Sequence, residues 1–274
     1  MLNCLLDIAY RGEVFFARLQ GIALDNPRHN GEYQLIKRLR NVIKCAVDGG
    51  SNIGDWSSVL VSQKRTGTRV FCVEPDPRNA AIIRKRFAGD SAISVVEAAL
   101  SEKCGVRNFC MGNNAGNGIG HLVANPRQTS IPVQSITLDH LSAINGDCEF
   151  DLVKCDIEGE EMPALRGAYG LLRSQKIGTI QVEYNTTWLE GGYRLKNLFE
   201  LASDHEYQLL LATPFGYTRT PVYGEGLEDY RLRNFLMVRS DHFRLLNPSA
   251  PAGRARVEAH RQSIEAKAGS KSHG

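Results

Sequence analysis

The sequence predicts an α/β fold: a mostly parallel, seven-stranded sheet flanked by helices, with one antiparallel terminal strand. Three observations carry that prediction. Short apolar runs alternate with segments of helical periodicity, the pattern of parallel strands joined by crossover helices. The first run ends in an acid and a glycine turn, Val47-Asp48-Gly49-Gly50-Ser51-Asn52-Ile53-Gly54, where a strand gives way to a helix. The last two strands have no long helix between them, so one must run against the rest.

The elements follow in order. Residues 1–43 read as a helical lead-in, with Tyr33, Leu35, Ile36 and Leu39 on one side of a helix. After the glycine turn, Trp56, Val59 and Leu60 recur at helical spacing up to about Lys64. Arg69 to Glu74 is a buried strand ending in a second acid, and Pro75-Asp76-Pro77 opens a helix from about Arg78 to Phe87. Ile93 to Val96 is the third strand. Gly105 to Val133 breaks the alternation: Val106 to Met111 reads as an edge strand, Gly112 to Gly120 as an Asn/Gly loop, and Ile131 to Val133 as extended chain. Thr137 to Leu141 starts a short helix. The alternation then returns with a strand at Asp151 to Asp156, a helix at Glu160 to Ser174, a strand at Ile177 to Tyr184 and a helix at Leu195 to His205. Pro163 falls in a first helical turn, where its missing N–H costs little. Tyr207 to Ala212 and Asn234 to Arg239 are the closing strands, read as a terminal hairpin. One domain is thus expected over residues 44–240.

Residues 241–274 are expected to be a disordered tail. From Ser249 onward, Arg254, Arg256, Arg261, Lys267 and Lys271 face only Glu258 and Glu265, with almost nothing apolar to bury. The net charge of +3 is too small to argue for nucleic acid as a partner. Seven cysteines with no C-x-x-C pair, three of them inside strands (Cys45, Cys72, Cys155), fit a reducing, cytoplasmic setting. No run approaches the ~18 apolar residues of a membrane span, so the chain is expected to be soluble.

The glycine turn narrows the ligand. A dinucleotide fingerprint beginning at Gly50 needs glycine at position 52, where Asn52 stands, and Gly54 completes the spacing from neither Gly49 nor Gly50. Asp48 at the strand tip would repel a pyrophosphate and attract an ammonium group. S-adenosylmethionine carries such an ammonium on its methionine end, which points to a methyltransferase. Asp48, Gly49, Gly50, Ser51, Asn52 and Gly54 are therefore expected to bind the cofactor at the carboxyl ends of the strands. Glu74, with Pro75 after it, is placed to accept hydrogen bonds from ribose hydroxyls, and Ala98 to leave room for a flat adenine.

The set resembles the FkbM-type S-adenosylmethionine-dependent methyltransferases. The matching pieces are Val47 to Gly54, Val73-Glu74-Pro75-Asp76-Pro77, Glu97-Ala98-Ala99-Leu100-Ser101, Ile136-Thr137-Leu138-Asp139, and Leu152-Val153-Lys154-Cys155-Asp156-Ile157-Glu158-Gly159-Glu160. The resemblance covers roughly Glu32 to Arg239, most of the chain. The resemblance implies a Rossmann-like class I methyltransferase fold and, in many members, O-methylation of a sugar or other small-molecule hydroxyl.

Four residues are candidates for handling the acceptor. Asp156 and Glu158 close the fourth strand one residue apart, so strand geometry points both to one side, as base, hydroxyl clamp or metal pair. Glu183 ends the fifth strand, and His121 follows the glycine loop. Glu160 and Glu161 read as helix N-terminal charges, and Trp188 as either core or a stacking face. No His/Asp set has metal-ligand spacing, so no metal is expected. The expected partner is a small-molecule or glycan acceptor. A non-catalytic binding module on the same fold and a nicotinamide-dependent oxidoreductase are the rival readings.

Overall fold

The computed structural model describes residues 12–19, 22, 24–116, 120–124, 130–220 and 222–246. Two helices lead in, α1 (residues 12–19) and α2 (Glu32–Leu39). On α2, Leu35, Ile36 and Leu39 are buried in one stripe, the face the apolar spacing marks. There follow β1 (Cys45–Gly49), α3 (Asp55–Gln63), β2 (Arg69–Val73), α4 (Pro77–Arg86) and β3 (Ile93–Val96), the alternation read from the sequence. Every residue of β1 is buried, because a strand covered on both faces has no solvent side. Asp76 caps α4 by accepting from Arg78 N at 2.9 Å, and Pro77 needs no donor at that position.

The interruption folds as a second, four-stranded sheet of β4 (Ala99–Leu100), β5 (Gly105–Cys110), β6 (His121–Val123) and β7 (Ser130–Ile136). The expected edge strand Val106 to Met111 is β5, which pairs with β6 and β7 and not with the main sheet. Its own small core is Ala99, Phe109 and Val133.

The main chain resumes with α5 (Leu138–Ala143), capped by Thr137, then β8 (Phe150–Cys155). The single helix expected over Glu160 to Ser174 is two, α6 (Glu161–Arg166) and α7 (Tyr169–Arg173). The break has a cause: the Asp139 carboxylate accepts from Gly170 N at 2.8 Å and Leu171 N at 2.9 Å, starting a new helix there. Next come β9 (Ile177–Tyr184), the short α8 (Thr187–Glu190) and α9 (Leu195–Asp204). The chain closes with β10 (Gln208–Thr213), β11 (Gly216–Arg219), β12 (Arg233–Val238) and α10 (Ser240–Leu246).

The main sheet runs β11-β10-β12-β9-β8-β1-β2-β3. Strands β3, β2, β1, β8 and β9 are parallel, and β12 runs antiparallel between β9 and β10. The seven expected strands form this Rossmann-like sheet, and β11 adds an eighth at the edge by pairing antiparallel with β10. The closing strands do pair antiparallel, though β11 lies between them in sequence. Alternate side chains feed two cores, one on each face: Val47, Phe71 and Val153 on one, Ala46, Val70 and Leu152 on the other.

One boundary needs correcting. Residues 241–246, assigned to the tail, complete α10, whose His242, Phe243 and Leu246 are buried against the domain. Residues 247–274 lie outside the described residues, and so does the rest of the expected tail. Among the described residues no helix is long and apolar enough to cross a membrane.

Candidate active site

Strand order reverses between β1 and β8, since β2 and β3 extend one way and β8 and β9 the other. Such a switch point leaves a crevice at the carboxyl ends of the strands. A cavity of 460 Å³ lies there, within the range of small-molecule sites.

At one end is the turn between β1 and α3. Gly50 N and Ser51 N both donate to Val73 O at the tip of β2, at 3.0 and 3.2 Å, so the turn is tied to the neighbouring strand. Asn52 adopts φ 50, and its N–H donates to Glu74 Oε2 at 2.7 Å. The other oxygen of Glu74 accepts from Asp76 N at 2.9 Å. Burial pushes the Glu74 carboxyl up to about 7 despite these backbone donors. Gly50, Ser51, Asn52, Glu74 and Pro75 all line the cavity, as do the apolar Ile53, Leu100 and Phe109.

Three cofactor candidates lie behind this wall. Asp48 is fully buried and outside the lining; it accepts from Ser57 Oγ at 2.6 Å, and its second oxygen is 3.9 Å from Lys154 Nζ. It lies beneath the cavity floor, held by Ser57 and Lys154, and does not reach the lining as the sequence reading places it. Gly49 and Gly54 shape the turn from outside the lining. Ala98 is buried in the core, and its neighbours Ala99 and Leu100 reach the cavity instead.

At the other end are the acids. β8 stops at Cys155, and residues 156–159 form a turn with Glu158 at φ 54. Asp156 and Glu158 therefore do not share a direction through strand spacing, as expected, yet both line the cavity because this turn curls over it. Glu161 makes the turn: its buried carboxylate accepts from Ile157 N and Gly159 N, each at 3.0 Å. It is thus no solvated helix charge, and burial raises it to about 8. Glu160 pairs with Arg107 at 3.2 Å.

Asp156 Oδ2 lies 2.8 Å from Lys154 Nζ, whereas Glu158 makes no hydrogen bond or ion pair among the described residues. Burial, then the Asp156 charge, lifts Glu158 to about 7. Burial, followed by the charges of Asp156 and Glu158, lifts Glu183 to about 9. Glu183 Oε2 accepts from Asn185 Nδ2 at 2.7 Å. His121 opens β6 and lines the cavity from the second sheet. Trp188 is 1% exposed and donates its indole N–H to Glu183 O, so it is core and offers no stacking face. Among the described residues, no group of three or more His, Cys, Asp or Glu side chains is placed to hold a metal ion.

Sequence reasoning gave no role to Lys154, Glu32 or Tyr33, all of which line the cavity. Lys154 had a signal: a lysine inside a strand buried on both faces must meet carboxylates. Glu32 had none, because its place depends on how the lead-in packs.

Residues 48–209 match the family model described as the Methyltransferase FkbM domain. The 2-O-methyltransferase NoeI of Sinorhizobium fredii is 25% identical over 189 residues, 63% of this chain and 76% of that protein. Among solved structures, a methyltransferase FkbM from Methylobacillus flagellatus KT aligns with TM-score 0.45 and 17% identity. That alignment covers 85% of this chain but 60% of the other, so the chain spans well under two thirds of that protein. The O-methyltransferase from Bacillus cereus, in complex with SAH, aligns with TM-score 0.43 and 14% identity over 79% of this chain and 83% of that one.

Proposed function

The chain belongs to the FkbM methyltransferase family, and from that premise we propose that it uses S-adenosylmethionine to methylate a hydroxyl of a sugar or another small molecule. The observation that carries this reading is the single cavity with the glycine turn and Glu74 at one end and Asp156, Glu158 and Glu183 at the other. The residues present fit the cofactor. Glu74 Oε2 holds one backbone N–H and keeps a further lone pair for a ribose hydroxyl, while Oε1 accepts from Asp76 N and, at 3.5 Å, from Asn79 Nδ2. Ile53, Leu100 and Phe109 offer apolar surface to a base. The excess of acids suits a cationic ligand. When bound, the cofactor supplies an electrophilic methyl group on a sulfonium leaving group.

What remains for the protein is positioning and one proton. An alcohol is a poor nucleophile near neutral pH, so a base must take its proton as the C–O bond forms. Glu158 is suited to this: burial, then the Asp156 charge, pushes its carboxyl up to about 7, and among the described residues no hydrogen-bond donor occupies it. Glu183, pushed up by burial and by the charges of Asp156 and Glu158, favours its protonated form, in which it would donate a hydrogen bond to the acceptor. The 2-O-methyltransferase relative supports a hydroxyl acceptor.

The test uses S-adenosylmethionine tritiated on the methyl group and a panel of neutral monosaccharide glycosides. Label should appear in an ether on at least one glycoside. Glu158→Gln should bind cofactor normally yet lose about 10²–10⁴-fold in turnover. Glu74→Gln should weaken cofactor binding by roughly 1–3 kcal/mol. Unchanged affinity in a folded Glu74→Gln protein removes the cofactor from this end of the cavity. Transfer to amines in place of hydroxyls would change the acceptor class.

A further inference from the structure

Lys154 sits where three acids from three elements meet. On β8 it lies opposite Asp48 of β1 and Gln181 of β9, so its side chain leaves the same face as theirs. The ammonium is 2.8 Å from Asp156 Oδ2 and 3.9 Å from Asp48 Oδ1, on a side chain only 7% exposed. Glu32 adds a third attraction from α2. Among the described residues, no other lysine or arginine lines the cavity.

The acids around it are not equally provided for. Asp48 has the Ser57 hydroxyl, and Glu32 accepts from the amides of Asn30 and Asn234. Among the described residues, the Asp156 side chain is bonded by Lys154 and the Glu158 carboxyl by no hydrogen-bond donor. A single buried cation therefore serves mainly the end of the cavity where the acceptor is placed.

We propose that Lys154 is a positioning residue for methyl transfer: its buried ammonium holds Asp156 in place at the cavity wall and is, among the described residues, the one cation set among Glu158 and Glu183, the acids that meet the acceptor hydroxyl. This rests on the hydroxyl-acceptor reading above. The groups facing each acid are consistent with it. Glu158 faces Asp156 and Lys154; Glu183 faces Asp156, Glu158, Lys154 and Glu161. Tyr33 from α2 and His121 from β6 line the same cavity. Burial and the neighbouring carboxylates push Glu158 and Glu183 up, and Lys154 is the group that pulls both down. Without it, the cluster would hold its protons to higher pH and lose its base at neutrality.

The experiment titrates carboxyl resonances of the full chain, labelled with ¹³C-glutamate, by NMR. Signals are assigned by their loss in Glu158→Gln and Glu183→Gln. In Lys154→Met both midpoints should rise by about one pH unit or more, and Lys154→Arg should return them most of the way. S-adenosylmethionine affinity, measured by calorimetry, should change by less than about threefold. Should Lys154→Met not fold, Lys154→Gln keeps an amide donor for Asp156 and makes the same test. Asp156→Asn removes a negative neighbour and should lower both midpoints. On any glycoside that accepts methyl, the acidic limb of the rate profile should move up in Lys154→Met with the midpoints. Unmoved midpoints in a folded neutral variant overturn the proposal. So does a loss of cofactor affinity as large as in Glu74→Gln, which would make the lysine part of the cofactor cradle. The titration needs no acceptor, so a glycoside panel that takes no methyl leaves its result standing.

Discussion

At Gly50 the glycine turn packs tightly against the acidic turn. A Cβ added there would lie 1.9 Å from Asp156 O, at φ +71. Gly67 makes a matched control, with φ +84 but nothing within 4 Å of its Cβ. Gly67→Ala should cost only the left-handed strain, roughly 1–2 kcal/mol, and leave cofactor affinity alone. Gly50→Ala should cost roughly 1–3 kcal/mol more from overpacking and weaken cofactor binding, as read by urea unfolding and calorimetry. Equal losses in the two variants would mean that the turns yield freely to each other. The same neighbourhood marks what single residues disclose from sequence. The place of Gly50, Ser51, Asn52 and Glu74 on the cavity wall was legible because turn chemistry and strand-tip position are local. Asp48 was legible as a polar residue at a strand tip, but its full burial was not. Its burial depends on Ser57 from α3 and Lys154 from β8, and no local spacing reports either.

The long parallel strands were legible nearly to their ends because burial on both faces makes each a continuous apolar run. The strands that were missed, β4, β6 and β11, are two to four residues long, too short for an alternating pattern to show. The turn after β8 was misread for a related reason: a strand pattern was extended through residues that Glu161 holds in a turn. That hold makes a prediction. Glu161→Ala leaves the N–H groups of Ile157 and Gly159 without their acceptor, which should cost roughly 1–3 kcal/mol of stability. Because this turn carries Asp156 and Glu158, turnover should fall while cofactor affinity, set at the other end, stays close to wild type. Glu161→Gln keeps one acceptor oxygen and should lie between the two. A Glu161→Ala protein with full activity and wild-type melting would show that the turn forms without it.

Acids held above their ordinary range make the stability of the whole fold depend on pH. Glu74 and Glu158 are raised to about 7, Glu161 to about 8 and Glu183 to about 9, each mainly by burial. In the unfolded chain these groups ionise at the ordinary glutamate value, so above it the native state binds more protons than the unfolded one. Stability must then decrease as pH rises from about 5 to about 9. Below that window the sign reverses, because Asp241, lowered to about 2 by Arg239, and Asp76, lowered against its own burial by Arg78, favour the fold only while ionised. Lys154, raised above its ordinary value by Asp156, Asp48 and Glu32 against its own burial, loses its contribution only at still higher pH. Each pKa unit corresponds to about 1.4 kcal/mol before discounting for water at the cavity mouth. The cofactor-free protein should therefore melt highest near pH 4–5 and lose roughly 5–10 °C by about pH 9. A cationic ligand beside these acids favours their ionised forms, so S-adenosylmethionine should raise the melting temperature more at pH 8 than at pH 6, roughly in step with the protons it displaces. Calorimetry in buffers of different ionisation enthalpy should detect those protons leaving on binding. A melting temperature flat from pH 6 to 9, or binding with no proton release, would mean that the acids are already ionised and that the cavity holds its excess negative charge without a ligand.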